Sequence, residues 1–337
     1  FPVITTIAKT ITSENINEVY PTYYPPRKTP KECYEQIIAD LTDAEQYAPD
    51  NDNSDRTKMT KTVAQAMLAK VYAEKEVQDY DKVIAYADKV MKTTGVELED
   101  SYETLWGYDE TAKDCMKRNT KEGILEVHWT TGSGNWETWM YGRQLDNWDY
   151  YFTWAKWITP SRDIINDFDK EGDEVRKNQA IVYYACTWSN YYPASNYPFM
   201  YKLRSSYNNI YWVRLADIIL MKAEAEAYKG NLAESAKLVN QIRKRAKLKE
   251  LTSDKTGSKE SMIEAVLHER RLELAFEGER WFDLCRNNKV EQYLNEIDNR
   301  DSGRIRQVRQ FDSNSYLLPI PQTALDQNTN LEQNPGY

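Results

Sequence analysis

Aromatic rings carrying a polar handle crowd one part of this chain. Eight of its ten tryptophans fall between His128 and Trp212, and tyrosines are dense in the same stretch. Trp136, Trp139, Trp188, Tyr191, Tyr192 and Tyr197 stand among Gly, Pro and Asn, outside any helical stripe that would direct all of them into a core. A flat ring can cover the apolar C–H face of a sugar while nearby amides satisfy its hydroxyls. Asn190 and Asn196 are placed to be those amides. The expected ligand surface is therefore the loops 135–154 and 188–197. The competing reading is that the rings fasten an irregular loop layer onto the rest of the fold.

Other chemistry finds less support. Glu269 and Glu273 sit one helical turn apart and suggest the carboxylate pair of a retaining glycosidase. They stand beside Arg270, Arg271 and Arg280, a setting that favours ionised carboxylates and salt bridges over a protonated general acid. With Glu277 and Asp283 they are expected to be structural. Only two histidines exist, and His268-Glu269-Arg270-Arg271-Leu272 lacks the second histidine of a zinc-binding helix. The four cysteines form no CxxC pair and are expected as buried free thiols. Gly132-Ser133-Gly134 lacks the context of a nucleotide loop. No catalytic residue, no metal and no cofactor are expected. The formal charge of −9, from 44 basic and 53 acidic residues, argues against nucleic acid as a partner. No apolar stretch approaches the length of a membrane-spanning helix.

The elements that would position these residues are mostly helical. Thr29-Pro30-Lys31-Glu32 opens a helix with a capping box, and Tyr34, Ile37, Ile38, Leu41 and Ala44 follow at helical spacing. Thr60 caps a second helix with Val63, Met67, Leu68 and Val71 inward. Asp79 starts a third, with Val83, Ile84, Ala87 and Val90 inward and Gly95 past its end. So short a connection forces the last two into an antiparallel hairpin over 63–93. The pattern returns over 211–248 around a Lys229-Gly230-Asn231 turn, and an offset of 152 superposes Leu68 on Leu220. The hairpins resemble tetratricopeptide units but are not tandem. Between them, glycines and prolines break the chain. A short strand is expected over 123–129 and a short helix from Pro160-Ser161 through Phe168. A final helix is expected over 260–286, followed by an extended tail at Leu317 to Pro321.

Three segments, in this order, resemble the SusD/RagB family of glycan-binding outer-membrane lipoproteins. They are Val213-Arg214-Leu215-Ala216-Asp217 and the helix it opens, with Asn240-Gln241-Ile242-Arg243-Lys244-Arg245; His268-Glu269-Arg270-Arg271-Leu272-Glu273 continuing through Phe276-Glu277-Gly278-Glu279-Arg280-Trp281-Phe282-Asp283; and Leu318-Pro319-Ile320-Pro321 with the closing Gln333-Asn334-Pro335-Gly336-Tyr337. Upstream, Pro30 to Ala48, Pro160-Ser161-Arg162-Asp163 and Gly172-Asp173-Glu174-Val175-Arg176 are similar to further family motifs.

The resemblance implies a mostly α fold, SusD-like, with tetratricopeptide-like helical hairpins and an irregular loop-rich insertion. It implies one domain over 1–337, with hairpin regions at 29–95 and 210–337 around the aromatic region 96–209, and without the N-terminal portion that family members carry. It further implies surface binding of oligosaccharides or polysaccharides for polysaccharide utilisation and nutrient uptake, with delivery to a SusC-like TonB-dependent transporter and no catalysis. The implied location is the outer membrane, through a lipid anchor that is not in this chain. Two alternatives of other classes are a protein-binding helical-repeat scaffold and a glycoside hydrolase.

Overall fold

The computed structural model describes residues 2–109, 111–112, 114–129, 158–189, 191–205 and 207–337. Helices dominate them: α1 (Pro30–Tyr47), α2 (Lys61–Ala73), α3 (Tyr80–Met91), α4 (Arg162–Glu171), α5 (Glu174–Ala180), α6 (Leu215–Tyr228), α7 (Leu232–Arg245), α8 (Lys259–Glu273), α9 (Arg280–Arg286) and α10 (Ile297–Arg300). Shorter helical turns fill several connections. Strands are brief: β1 (Tyr108–Asp109), β2 (Asp114–Cys115), β3 (Gly123–Val127), β4 (Ile181–Tyr184), β5 (Tyr197–Met200) and β6 (Ile210–Arg214). They form three antiparallel pairs, β1 with β2, β3 with β6, and β4 with β5.

Local sequence sets the helix starts. The Thr29 hydroxyl accepts from the Glu32 amide at 3.2 Å and the Glu32 carboxylate accepts from the Thr29 amide at 2.9 Å, the reciprocal box expected there. Thr60, Asp79 and Ser161 accept from the amides of Val63, Lys82 and Ile164 in the same way. Gly230 holds a φ of 84° in the α6–α7 turn, a conformation open to glycine at no steric cost.

The α2–α3 and α6–α7 hairpins pack together, with α6 at the centre. Every residue of α6 from Leu215 to Ala227 is buried, including Asp217, Lys222, Glu224 and Glu226. Each of these charged groups has a partner, as burial requires. Asp217 meets Lys70 at 2.7 Å and Arg270 at 2.8 Å, Lys222 meets Asp88 at 2.7 Å, Glu224 meets Arg286 at 2.6 Å, and Glu226 accepts from Asn231 at 2.7 Å. Among the described residues no helix is long and apolar enough to cross a membrane.

The final helix differs from its expected course. α8 stops at Glu273, and the chain turns through Phe276 at φ 66° and Gly278 at φ 88° before α9 begins. The turn lets Glu277 face inward, where its carboxylate accepts from Arg214 Nε at 2.7 Å and from Lys202. An uninterrupted helix has no such freedom. The glycine that permits the turn stood in plain view at position 278.

The Glu273 carboxylate, fully buried, lies between three arginines. Arg214 of β6 approaches at 2.6 Å, Arg176 of α5 at 3.3 Å, and Arg245 of α7 also bonds to it. Arg176 continues to Glu269 at 2.6 Å and to Asp173, and Arg243 closes on Glu269 at 3.0 Å. Arg270 is likewise fully buried and joins Asp217 to Asp283 at 2.8 and 2.9 Å. The run of arginines closing α7 thus points into the protein.

Two outcomes follow from this packing. Leu68→Asp or Ile219→Asp, each at a fully buried position, is expected to abolish the cooperative melting transition. An unpaired buried charge costs several kcal/mol against a total stability of about 5–15 kcal/mol. A variant that melts like the parent refutes the assignment. The second outcome is acid sensitivity. Burial pushes the carboxyls of Glu273, Glu277 and Asp283 up, but their arginine partners, joined at Glu277 by Lys202, outweigh it and hold all three below the usual range. His268 bonding, with Arg243, holds Glu171 at about 2. Asp173 runs the other way, raised by burial despite Arg176. With most folded values lying below unfolded ones, stability is fully present above the unfolded carboxylate pKa of about 4 and is lost as pH falls from about 5 toward 2. Calorimetry across that window should show a steadily falling melting temperature.

Candidate ligand cleft

β4 and β5 form a hairpin, with Ile181 opposite Met200 and Tyr184 opposite Tyr197. Its connecting loop carries Trp188, Tyr191, Tyr192 and Asn196. Sequence reasoning read this stretch as irregular and missed the strands that present it. Beneath the loop, Tyr197 and Phe199 make a buried aromatic floor with Cys186. Trp188 meets Tyr197 edge-on at 4.6 Å and Phe199 at 6.1 Å, and its carbonyl accepts from the Cys186 thiol at 3.0 Å. Tyr192 also meets Tyr197 edge-on, at 5.8 Å.

Tyr191 and Tyr192 line a cleft of about 340 Å³ together with Pro160, Arg162, Asp301 and Arg304. Arg162 is its organising residue. Ser161 caps α4 and so fixes where the helix begins, which places Arg162 at its first position. The Arg162 backbone amide and guanidinium donate to the two oxygens of Asp301 at 2.9 and 3.1 Å. The guanidinium also donates to the Tyr191 carbonyl and lies 4.0 Å from the centre of the Tyr192 ring. The Tyr192 hydroxyl donates to the Pro160 carbonyl at 2.7 Å, and burial pushes its pKa upward. Gly303 lies against this group. A Cβ there would fall 2.2 Å from Arg162 Cζ, so the guanidinium occupies the space a side chain would need.

The predicted rings therefore separate into distinct places. Tyr191 and Tyr192 reach the cleft together, with one face of Tyr192 covered by Arg162. Trp188 is half-buried on the aromatic floor, and Asn196 is exposed at the end of the hairpin loop. Tyr197 departs from the expectation, because its ring is fully buried and supports the others instead of offering a face to a ligand. Trp136, Trp139 and Asn190 lie outside the described residues, as does the loop 135–154. Arg162, Asp301 and Arg304 were missed as site residues. The first stood inside a quoted motif, whereas the other two sit about 140 residues downstream and carry no local signal. A second cleft of about 410 Å³ adjoins, sharing Ile158, Thr159 and Ser161 and reaching Trp281. Trp212, on β6, is 61% exposed.

The carboxylates of the glycosidase reading sit elsewhere, in the buried ionic network. A general acid needs a carboxyl that its surroundings keep protonated. Arg245, Arg214 and Arg176 do the reverse to Glu273. Among the described residues no group of three or more His, Cys, Asp or Glu side chains is arranged to hold a metal ion.

Residues 13–337 match the profile described as the SusD family. The chain belongs to that family. It is 28% identical to SusD-like protein P2 of Formosa agariphila over 92% of its length, and spans 66% of that relative. A SusD homolog from Bacteroides thetaiotaomicron shares the fold with a TM-score of 0.73 at 21% identity, over 92% of this chain and 71% of that one. A SusD-like carbohydrate binding protein from Bacteroides vulgatus aligns with a TM-score of 0.60 at 19% identity, over 76% and 51% of the two chains. The mostly α, SusD-like architecture expected from the sequence is the one observed.

Proposed function

We propose that this SusD-family chain binds oligosaccharides at the cleft between the β4–β5 loop and the start of α4, without transforming them. The observation that carries the reading is the convergence of Tyr191 and Tyr192 with Arg162 and Asp301 on one open cleft. A sugar ring stacked on Tyr191 would find hydrogen-bonding groups beside it, and the Arg162–Asp301 pair would keep the platform rigid before the ligand arrives. The aromatic floor of Trp188, Tyr197 and Phe199 supports the same platform from below. Family membership and the name of the carbohydrate binding relative from Bacteroides vulgatus agree with this reading.

In this reading the bound glycan passes to a SusC-like TonB-dependent transporter, and the protein acts at the surface of the outer membrane as a lipid-anchored component of polysaccharide uptake. Glu269 and Glu273 stay structural, and Glu269→Gln lowers stability without touching ligand affinity.

Isothermal titration tests the site. For a glycan that the parent protein binds, Tyr191→Ala should weaken binding by about tenfold, matching the roughly 1–2 kcal/mol of an aromatic contact. Trp188→Ala should cost stability as well as affinity, because its ring packs on the floor. Unchanged affinity in Tyr191→Ala and Arg162→Ala, with melting temperatures intact, places the site elsewhere.

A further inference from the structure

We propose that the cleft selects glycans bearing an anionic substituent, a uronate carboxylate or a sulfate ester, and that Arg304 is the residue that selects them. The inference rests on the cleft being a glycan site and adds the ligand's charge.

The charges around the cleft do not balance. Its acidic member, Asp301, is 3% exposed, and both its oxygens are engaged by Arg162. Arg162 is spent in turn on Asp301, the Tyr191 carbonyl and the Tyr192 ring. Arg304 lines the same cleft and is exposed, and its guanidinium has no acidic partner among the described residues. Two positions on, Arg306 is also exposed and without an acidic partner among the described residues. Of the neighbouring acids, Asp163 is held by Arg271 and Arg300 and Asp312 pairs with Arg309 at 3.4 Å, whereas Asp298 accepts from the Gln307 backbone amide at 3.0 Å and its second oxygen is without a partner among the described residues. In a chain whose formal charge is −9, the side chains lining this cleft set two arginines against one aspartate.

Arginine presents a planar fork that matches the paired oxygens of a carboxylate or sulfate. A neutral sugar leaves that fork to water. An anionic sugar stacked at Tyr191 brings its substituent toward Arg304, where a charge-assisted hydrogen bond forms in a partly enclosed cleft. The arrangement divides the work, with Tyr191 reading the ring face and Arg304 the charge.

The test is an array of neutral, uronate-bearing and sulfated oligosaccharides probed with the full chain, followed by titration of the strongest ligand in each class. The expected result is that an anionic class binds about tenfold more tightly than neutral sugars of equal length, and that Arg304→Ala brings the anionic class down to the affinity of the neutral one. The anionic advantage should also shrink as salt rises from about 50 to 300 mM. Tyr191→Ala should weaken both classes. The uronate and sulfate arms identify which anion is preferred. Neutral sugars binding as tightly as anionic ones, or an anionic preference untouched by Arg304→Ala, overturns the inference and leaves the glycan site standing. Anionic binding that survives Tyr191→Ala and extends equally to inorganic polyphosphate marks mere charge attraction and overturns it too. An array with no bound sugar of any class overturns the glycan reading itself, and the selectivity with it.

Discussion

The fold turns on a carboxylate that has no access to water. Glu273, at the end of α8, is met by arginines from α5, β6 and α7, so three separately placed elements converge on a single side chain. Taking such charges out of water is costly, and only full satisfaction by partners makes the arrangement tolerable. Removing one partner leaves the others buried and uncompensated, at a cost of about 3–5 kcal/mol. The network consequently specifies how α8 seats on the α6–α7 hairpin, with little tolerance for slip. It also removes from chemistry the carboxylates that sequence spacing would have offered to a catalyst.

That same seating fixes the cleft. Arg271, in the last turn of α8, bonds Asp163 at 2.6 Å, and Asp163 also holds Arg300 of α10 at 2.9 Å. Burial pushes Asp163 upward, but these two arginines outweigh it and keep it ionised. α4 and α10 are thereby held at a set spacing. Arg162 and Asp301 each lie one residue away from this junction, which is why they meet. The cleft is thus walled by two helices that Arg271 of α8 ties together through Asp163.

Much of the architecture was legible in the sequence because its causes are local. Capping boxes, helical periodicity and a glycine turn act within a few residues, and the expected starts of α1, α2, α3 and α4 rest on them. The break after Glu273 had one local sign, Gly278, but the groups that draw Glu277 inward, Arg214 and Lys202, come from distant parts of the chain. The β4–β5 pairing was hidden for a related reason: β5, Tyr197-Pro198-Phe199-Met200, is buried throughout and lacks the alternation that marks a half-exposed strand. At the cleft, aromatic composition pointed to Tyr191 and Tyr192, since ring chemistry is visible residue by residue. It overreached at Tyr197, whose burial depends on what folds over it. Asp301 and Arg304 carried no signal, because a lone aspartate and a lone arginine acquire meaning only from what they face.

The bond between Arg162 and Asp301 spans 139 residues of chain. Contacts of such separation form only after a large loop has closed, and the entropy of that closure is met before the contact returns anything. During synthesis the hairpin loop and the start of α4 emerge long before the segment that completes their cleft. The α2–α3 hairpin, by contrast, needs only its own neighbourhood. The cleft is in this sense among the late features of the fold, since its Arg162–Asp301 wall exists only once a segment 139 residues downstream has docked.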